Sequence, residues 1–154
     1  MDFQDLPLGK QTKYPKSYDP SLLVGINREE ARARSGIKLN LSSFYGLDSW
    51  TAYELSWLNS KRLPKNGILY ASYSSSSKNF IESKSFKLYL NSLNNKSLND
   101  QNDLEALLKN DLERCVSDEV TIEIKQMPRD FIEECISIDS VDFSAHQGKE
   151  EIKG

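Results

Sequence analysis

The sequence predicts an α+β domain in which an antiparallel sheet carries two helices on one face. Residues 50–58, 68–74 and 120–125 have the aromatic and β-branched content, or the polar–apolar alternation, of strands. Residues 81–93 and 102–115 instead repeat apolar residues at helical spacing. With a further strand near the end of the chain, the order is two strands, two helices and two strands. One sheet with both helices on the same side is its simplest packing.

The N-terminal region, residues 1–45, is rich in Pro, Lys, Ser and Asn and has few periodic apolar positions. We therefore predict an extended arm with short turns, followed by a single domain at residues 46–143 and a charged flexible tail at 144–154. The charged run 28–34 is compatible with one or two helical turns, although a solvated face is favoured. The apolar residues expected to anchor the arm are Tyr14, Tyr18, Leu22, Leu23 and Ile26.

The first two strands are predicted to form a hairpin. Alternation along residues 50–58 places four side chains on one face: Thr51, Tyr53, Leu55 and Trp57. The connection at residues 61–67 contains Pro64 and the pair Asn66-Gly67, which are typical of turns. Residues 68–74 then form the second strand.

The helices and the later strands follow from similar patterns. The first helix has apolar residues at 81, 88, 89 and 93, with Ser85 as a weaker position on the same stripe. Asn102 and Glu105 resemble a capping box at the start of the second helix. That helix carries a stripe formed by Leu104, Leu107, Leu108, Leu112 and Cys115. Val120, Ile122 and Ile124 alternate with polar residues, and a last strand is expected at 135–139.

Composition argues against several functions. The 20 basic and 23 acidic residues are nearly balanced, which argues against a nucleic-acid surface. We see neither a membrane-spanning stretch nor a secretory signal, and we expect a cytoplasmic protein with free thiols at Cys115 and Cys135. A thiol on the leucine stripe is expected to have a raised pKa and to be inert. These cysteines and the single His146 form no recognisable metal site, and no Rossmann or Walker glycine loop is present.

Residues 82–89, Glu-Ser-Lys-Ser-Phe-Lys-Leu-Tyr, carry the main functional hypothesis. A carboxylate at a helix start can accept paired N–H donors of a flat heterocycle, and the serine and lysine beside it suit an anionic cofactor. The spacing alone favours an ordinary interpretation. In that interpretation Glu82 complements the helix dipole, Lys84 and Lys87 are surface residues, and the apolar residues belong to the core.

This run resembles the signature of the NADPH-dependent 7-cyano-7-deazaguanine reductases (QueF), which are nitrile reductases of queuosine biosynthesis, a tRNA modification. Residues 8–10 and 18–23 and Arg28 resemble the N-terminal arm of the two-module form of that family, and residues 50–59 resemble its first module. The resemblance covers roughly residues 8–125. It implies the tunnelling fold, whose unit is two strands, two helices and two strands.

The resemblance also implies roles for individual residues. Glu82 is expected to accept hydrogen bonds from the guanine-like N–H edge of 7-cyano-7-deazaguanine. The backbone of Ile81 and the side chain of Ser83 are expected to complete that pocket. Ser83 and Lys84 are expected to contact NADPH.

The residues that perform the chemistry in this family are missing at the corresponding positions. Members reduce the nitrile through a thioimide on a cysteine, with an aspartate as proton donor. The comparable places lie near Leu58 and Asn59 and near Asn66, and they hold neither residue. The Phe-His-Glu of single-module members corresponds to residues 99–101, Asn-Asp-Gln. We therefore expect no catalytic residue here, no nitrile reduction by this chain alone, and a second module as the source of that chemistry.

Other functions remain open on the sequence. A non-catalytic deazapurine-binding or assembly module of the same fold is the main alternative. A pterin-processing relative such as a GTP cyclohydrolase is disfavoured because its zinc ligands are absent. The expected partners are the small-molecule substrate and either further copies of the chain or a second tunnelling-fold module, since exposed sheet edges favour association. Direct binding to nucleic acid or to a membrane is not expected.

Overall fold

The computed structural model describes Gly9, residues 13–37 and residues 45–126. The elements follow in the order β1 (Gly25–Asn27), α1 (Arg28–Arg34), β2 (Leu47–Leu58), β3 (Pro64–Ser74), β4 (Asn79–Ile81), α2 (Ser83–Ser92), α3 (Gln101–Val116) and β5 (Val120–Lys125). Short 3-10 helices at Pro20–Leu22 and Leu93–Asn95 precede β1 and follow α2. The α+β class is confirmed. The predicted strand at 135–139, Cys135, His146 and the tail lie outside the described residues.

The main sheet is antiparallel and consists of β2, β3 and β5, with β3 in the middle. Leu69 of β3 is paired with Ile124 of β5, and Tyr73 with Val120, so these buried side chains lie on one face. The buried residues of α2 and α3 belong to the same apolar cluster. Both helices therefore pack on this face of the sheet, as the sequence predicts.

The hairpin turn differs from the prediction. The chain reverses at residues 59–63, where Oδ1 of Asn59 accepts from the backbone N–H groups of residues 61 and 63, both over 2.9 Å. Asn66 and Gly67 lie inside β3. A Cβ at Gly67 would lie 3.0 Å from a methyl carbon of Ile124, so close packing against β5 favours the glycine. The assignment of this pair to a turn was wrong.

The predicted face of β2 is also wrong in its first half. A β-bulge interrupts the register with β3 between Ala52 and Leu55. Beyond the bulge, Leu55 and Trp57 are buried, whereas Thr51 before it and Tyr53 within it are exposed. The extra residue of a bulge shifts the alternation by one position, and an unbroken period of two cannot describe such a strand.

The start and the stripe of α3 need smaller corrections. Asp100 is the N-cap, and its side chain accepts from the N–H of Asp103 over 2.9 Å. The predicted cap Asn102 lies within the helix. The three leucines at 104, 108 and 112 are fully buried. Cys115 is only partly buried, and Val116 takes its place in the core.

The N-terminal arm is more structured than predicted. Strand β1 pairs with β4 in antiparallel fashion, with Gly25 opposite Ile81. Helix α1 follows, capped by Asn27, so the charged run is helical. Four of the five predicted anchors contact or enter the core, but Tyr14 is 66% exposed and was wrongly included.

Two buried polar clusters fasten the arm to the body. The first is centred on Arg28, which is 8% exposed and lies near the rings of Tyr73 and Phe80. Its guanidinium donates to Ser77 Oγ and forms an ion pair with Asp48. The start of α1 is thereby tied to the start of β2 and to the turn before β4.

The second cluster is centred on Asp111 of α3, which is 2% exposed. Its Oδ2 accepts from the hydroxyls of Tyr18, over 2.6 Å, and Tyr89, over 2.7 Å. Its Oδ1 accepts from Arg114 over 2.6 Å. One carboxylate therefore joins the arm to both helices.

Candidate functional site

The predicted site residues lie together at the junction of β4 and α2. Strand β4 ends at Ile81, and Ser83 is the first residue of the helix. Between them, Glu82 has an extended backbone (φ −76°, ψ 127°), which is the usual conformation of an N-cap. The segment that carries the sequence signature is therefore a short strand-to-helix corner.

Glu82 caps the helix with its own carboxylate. Oε1 accepts from the N–H of Lys84 over 2.9 Å, and Oε2 accepts from the N–H of Ser85 over 2.7 Å. The residue is 3% exposed. The ordinary interpretation of Glu82 as a helix-start residue is thus confirmed. A carboxylate offers about four lone-pair sites, so capping leaves roughly one on each oxygen for a ligand.

The other three predicted residues differ in exposure. Ser83 is exposed and Lys84 is partly exposed, whereas Ile81 is 2% exposed. The backbone N–H of Ile81 donates to the hydroxyl of Tyr73 over 3.1 Å. Burial raises the pKa of that tyrosine, so the hydroxyl stays protonated at neutral pH. The corner thus presents a hydroxyl and an ammonium at its surface, with a carboxylate beneath.

The helix start is a poor anion site through its backbone. The amides of Lys84 and Ser85 point at the Glu82 carboxylate and are occupied by it. These two amides are therefore not available to an anionic group, whereas the side chains of Ser83 and Lys84 belong to the same helix start. Both are chemically suitable donors for a phosphate.

The arm crosses this corner, a contact that the sequence analysis did not predict. The N–H of Glu82 donates to the carbonyl of Val24 over 2.9 Å. The N–H of Val24 donates to Oγ of Ser85 over 3.1 Å, and that hydroxyl donates to the carbonyl of Glu82 over 2.7 Å. Ser85 is fully buried. Its position on an otherwise apolar stripe was the only signal of this role.

The rest of the described chain provides little reactive chemistry. Burial raises the pKa of the Cys115 thiol to about 11, in the direction expected from the sequence. Within residues 13–37 and 45–126, no group of three or more potential ligands could hold a metal ion. None of the described helices is long and apolar enough to cross a membrane. Asn59, at the place expected for a nucleophile, stabilises the hairpin turn instead.

One known protein family matches the part of the chain that contains this corner. A family model described as nitrile reductase, 7-cyano-7-deazaguanine-reductase N-term, matches residues 14–124. The match begins in the arm, includes the hairpin and both long helices, and contains the whole corner at residues 81–85. It covers most of the chain. The chain therefore belongs to the QueF N-terminal family of nitrile reductases.

Proposed function

We propose that this chain is the ligand-positioning module of a cytoplasmic 7-cyano-7-deazaguanine reductase. It holds the deazapurine and part of NADPH, while a second module supplies the nucleophile and the proton donor. The observation that carries this proposal is the orientation of the Glu82 carboxylate, which the amides of Lys84 and Ser85 hold in place. Glu82 lies inside the segment that the family model matches. A carboxylate with a fixed plane suits two parallel N–H donors.

The proposed substrate contact uses the acceptor capacity that capping leaves over. The amino and ring N–H groups of a guanine-like edge donate to the two oxygens of Glu82. Ser83 lies at the exposed side of this corner, and the backbone of Ile81 borders it. Each oxygen of Glu82 already accepts one backbone N–H, and the ligand adds a second hydrogen bond to each; such bonds are stronger when the acceptor is ionised.

NADPH supplies the hydride when it is bound. Its anionic groups are proposed to bind the Ser83 hydroxyl and the Lys84 ammonium, since the amides of Lys84 and Ser85 donate to Glu82. The contribution of this chain is charge and orientation at the edge of the substrate corner. Placing both ligands at one helix start brings the reacting groups together.

The nucleophile is proposed to come from elsewhere. A thioimide route needs a thiolate near neutral pH. Cys115 is the cysteine that the described residues contain, and its pKa of about 11 keeps it protonated there. Its side chain packs against the core from α3, and its carbonyl accepts from the side-chain amide of Asn79 at the start of β4 over 3.0 Å.

Calorimetric titration with 7-cyano-7-deazaguanine tests the binding site. The chain is expected to bind the ligand, and Glu82→Gln is expected to weaken binding at least about tenfold, because the amide presents a donor where the ligand needs an acceptor. Asp100→Asn is the control, since Asp100 is also an acidic N-cap, accepting from the N–H of Asp103, and lies at the start of α3. Equal binding by both variants, or no binding by the unmodified chain, contradicts the proposal.

An NADPH oxidation assay separates a half-enzyme from a binding module. The chain alone is expected to show no turnover, and addition of a separately expressed second module is expected to restore it. Turnover by the chain alone would show that it contains its own nucleophile. Binding without restored turnover would favour a non-catalytic deazapurine-binding module, which the inert Cys115 also fits.

Association with another module or another copy is part of the proposal. Among the described strands, β2 pairs only with β3, and its other edge makes a bridge only at Leu58, with Ser97. An open edge of this length favours pairing with a further strand. Light scattering is expected to show an assembly larger than a monomer, and a strict monomer at high concentration contradicts this.

A further inference from the structure

Two buried serines fasten α2 to the arm in the same manner. Oγ of Ser85 accepts from the N–H of Val24 over 3.1 Å and donates to the carbonyl of Glu82 over 2.7 Å. Oγ of Ser92 accepts from the N–H of Asp19 over 3.2 Å and donates to the carbonyl of Tyr89 over 2.6 Å. The serines are seven residues apart, which is about two helical turns, so they lie on one face.

Only the first of these serine bridges returns to the candidate site. Ser85 contacts Glu82 twice, through its hydroxyl at the carbonyl and through its N–H at Oε2 over 2.7 Å. The carbonyl of Val24 accepts from the N–H of Glu82 over 2.9 Å, which closes a ring of three hydrogen bonds. The second bridge joins the arm to the far end of the helix and does not involve Glu82.

We propose that Ser85 is a positioning residue that, together with the arm, fixes the Glu82 carboxylate for the deazapurine. This inference rests on the proposed function. A ligand with two N–H donors needs the carboxylate of Glu82 in one orientation. If the carboxylate is free to rotate, binding must also order it, and this entropic cost lowers the affinity. Val24 accepts from the N–H of Glu82, and Ser85 donates to its carbonyl, so both main-chain groups of Glu82 are held. The arm thereby influences the affinity of the site through its backbone alone.

The matched pair Ser85→Ala and Ser92→Ala tests the proposal in the full chain. Each change removes one buried bridge to the arm, so similar decreases in melting temperature are expected. In calorimetry with 7-cyano-7-deazaguanine, Ser85→Ala is expected to weaken binding at least about tenfold, and Ser92→Ala less than about twofold. Equal affinities in the two variants overturn the proposal. Tighter binding by Ser85→Ala also overturns it, because the arm would then be excluding the ligand.

Val24→Pro removes the same hydrogen bond from the side of the arm. Proline has no N–H to donate, and Leu23 already has the extended backbone (ψ 126°) that a following proline requires. The change leaves α2 intact, so it replaces Ser85→Ala if that variant does not fold. The same loss of affinity is expected, and unchanged affinity overturns the proposal.

Amide hydrogen exchange separates failure of this inference from failure of the proposed function. If the unmodified chain binds no deazapurine, the proposed function fails, but the positioning of Glu82 is still measurable without ligand. The amides of Lys84 and Ser85, which donate to the carboxylate, are expected to exchange at least about tenfold faster in Ser85→Ala than in Ser92→Ala. Equal exchange in the two variants overturns the positioning role.

Discussion

Replacing Tyr89 with phenylalanine tests the buried cluster around Asp111. The Tyr89 ring is fully buried, and its hydroxyl donates to Oδ2 of Asp111 over 2.7 Å. Because Asp111 is itself only 2% exposed, water does not readily replace the lost donor. A hydrogen bond to a charged group contributes about 1.5–3 kcal/mol. We expect Tyr89→Phe to lower the free energy of unfolding by that amount.

Tyr18→Phe is the matched control, because the Tyr18 hydroxyl donates to the same oxygen over 2.6 Å. Tyr18 is only partly buried, so water can take the place of its hydroxyl, and a smaller loss of about 0.5–1.5 kcal/mol is expected. The double variant is expected to be non-additive, since both donors share one acceptor. Urea unfolding measures all three losses. A Tyr18→Phe loss equal to or above that of Tyr89→Phe refutes the reasoning.

The same cluster predicts an alkaline limit to stability. Burial, and then the bond to Asp111, raise the pKa of Tyr18 and of Tyr89 above the ordinary value of 10.0. Above that pH the unfolded chain releases these protons while the folded chain keeps them, so stability is full below about pH 10 and falls as pH rises. Each retained proton adds a slope of about 1.4 kcal/mol per pH unit. Above about pH 10, Tyr89→Phe should therefore lose stability less steeply than the unmodified chain, by about 1.4 kcal/mol per pH unit. Equal slopes for the two proteins contradict this prediction.

Three further predictions concern other parts of the fold. Arg28→Ala should lower the free energy of unfolding, but by less than the about 3–5 kcal/mol expected for a fully buried ion pair, because Asp48 keeps contact with water. Thermal unfolding measures the loss, and an unchanged stability contradicts the prediction. Gly67→Ala should lower the free energy of unfolding by about 1–3 kcal/mol, because the added Cβ would lie 3.0 Å from atoms of β5. Urea unfolding measures this loss, and an unchanged midpoint contradicts the prediction. In a Cys135→Ser background, Cys115 should react slowly with a thiol reagent at neutral pH and faster up to about pH 11; fast neutral reaction contradicts it.

The body of the fold was predictable because each of its elements buries one side. The leucines at 104, 108 and 112 are fully buried, and of the alternating residues Val120 and Ile124 are buried while Ile122 packs against the core. The errors arose where a residue type serves another purpose. Asn66-Gly67 has the composition of a turn, yet Gly67 is favoured by close packing inside β3. The bulge in β2 could not be predicted from polar–apolar alternation, because a period of two assumes that strand pairing is uninterrupted.

The location of the candidate site was predictable, but its support was not. An acidic residue at the beginning of a helical apolar pattern indicates a helix start, and Glu82 lies at one. The contact between Val24 and Ser85 joins residues 61 positions apart, and nothing in local periodicity reports such a pair. A serine on an apolar helical stripe does carry information. A buried hydroxyl needs partners, so its presence there indicates a polar contact across the core.

The charge of Glu82 explains why the two proposed ligands would bind different atoms. Among the described residues no cation pairs with Glu82, and its charge is instead stabilised by two amides and the helix dipole. A neutral deazapurine adds N–H donors to such a carboxylate and is favoured there. An anionic cofactor would compete with the carboxylate for the same amides and is disfavoured at that position. The side chains of Ser83 and Lys84 are the groups proposed to contact the cofactor, so the two ligands would use different atoms of one helix start.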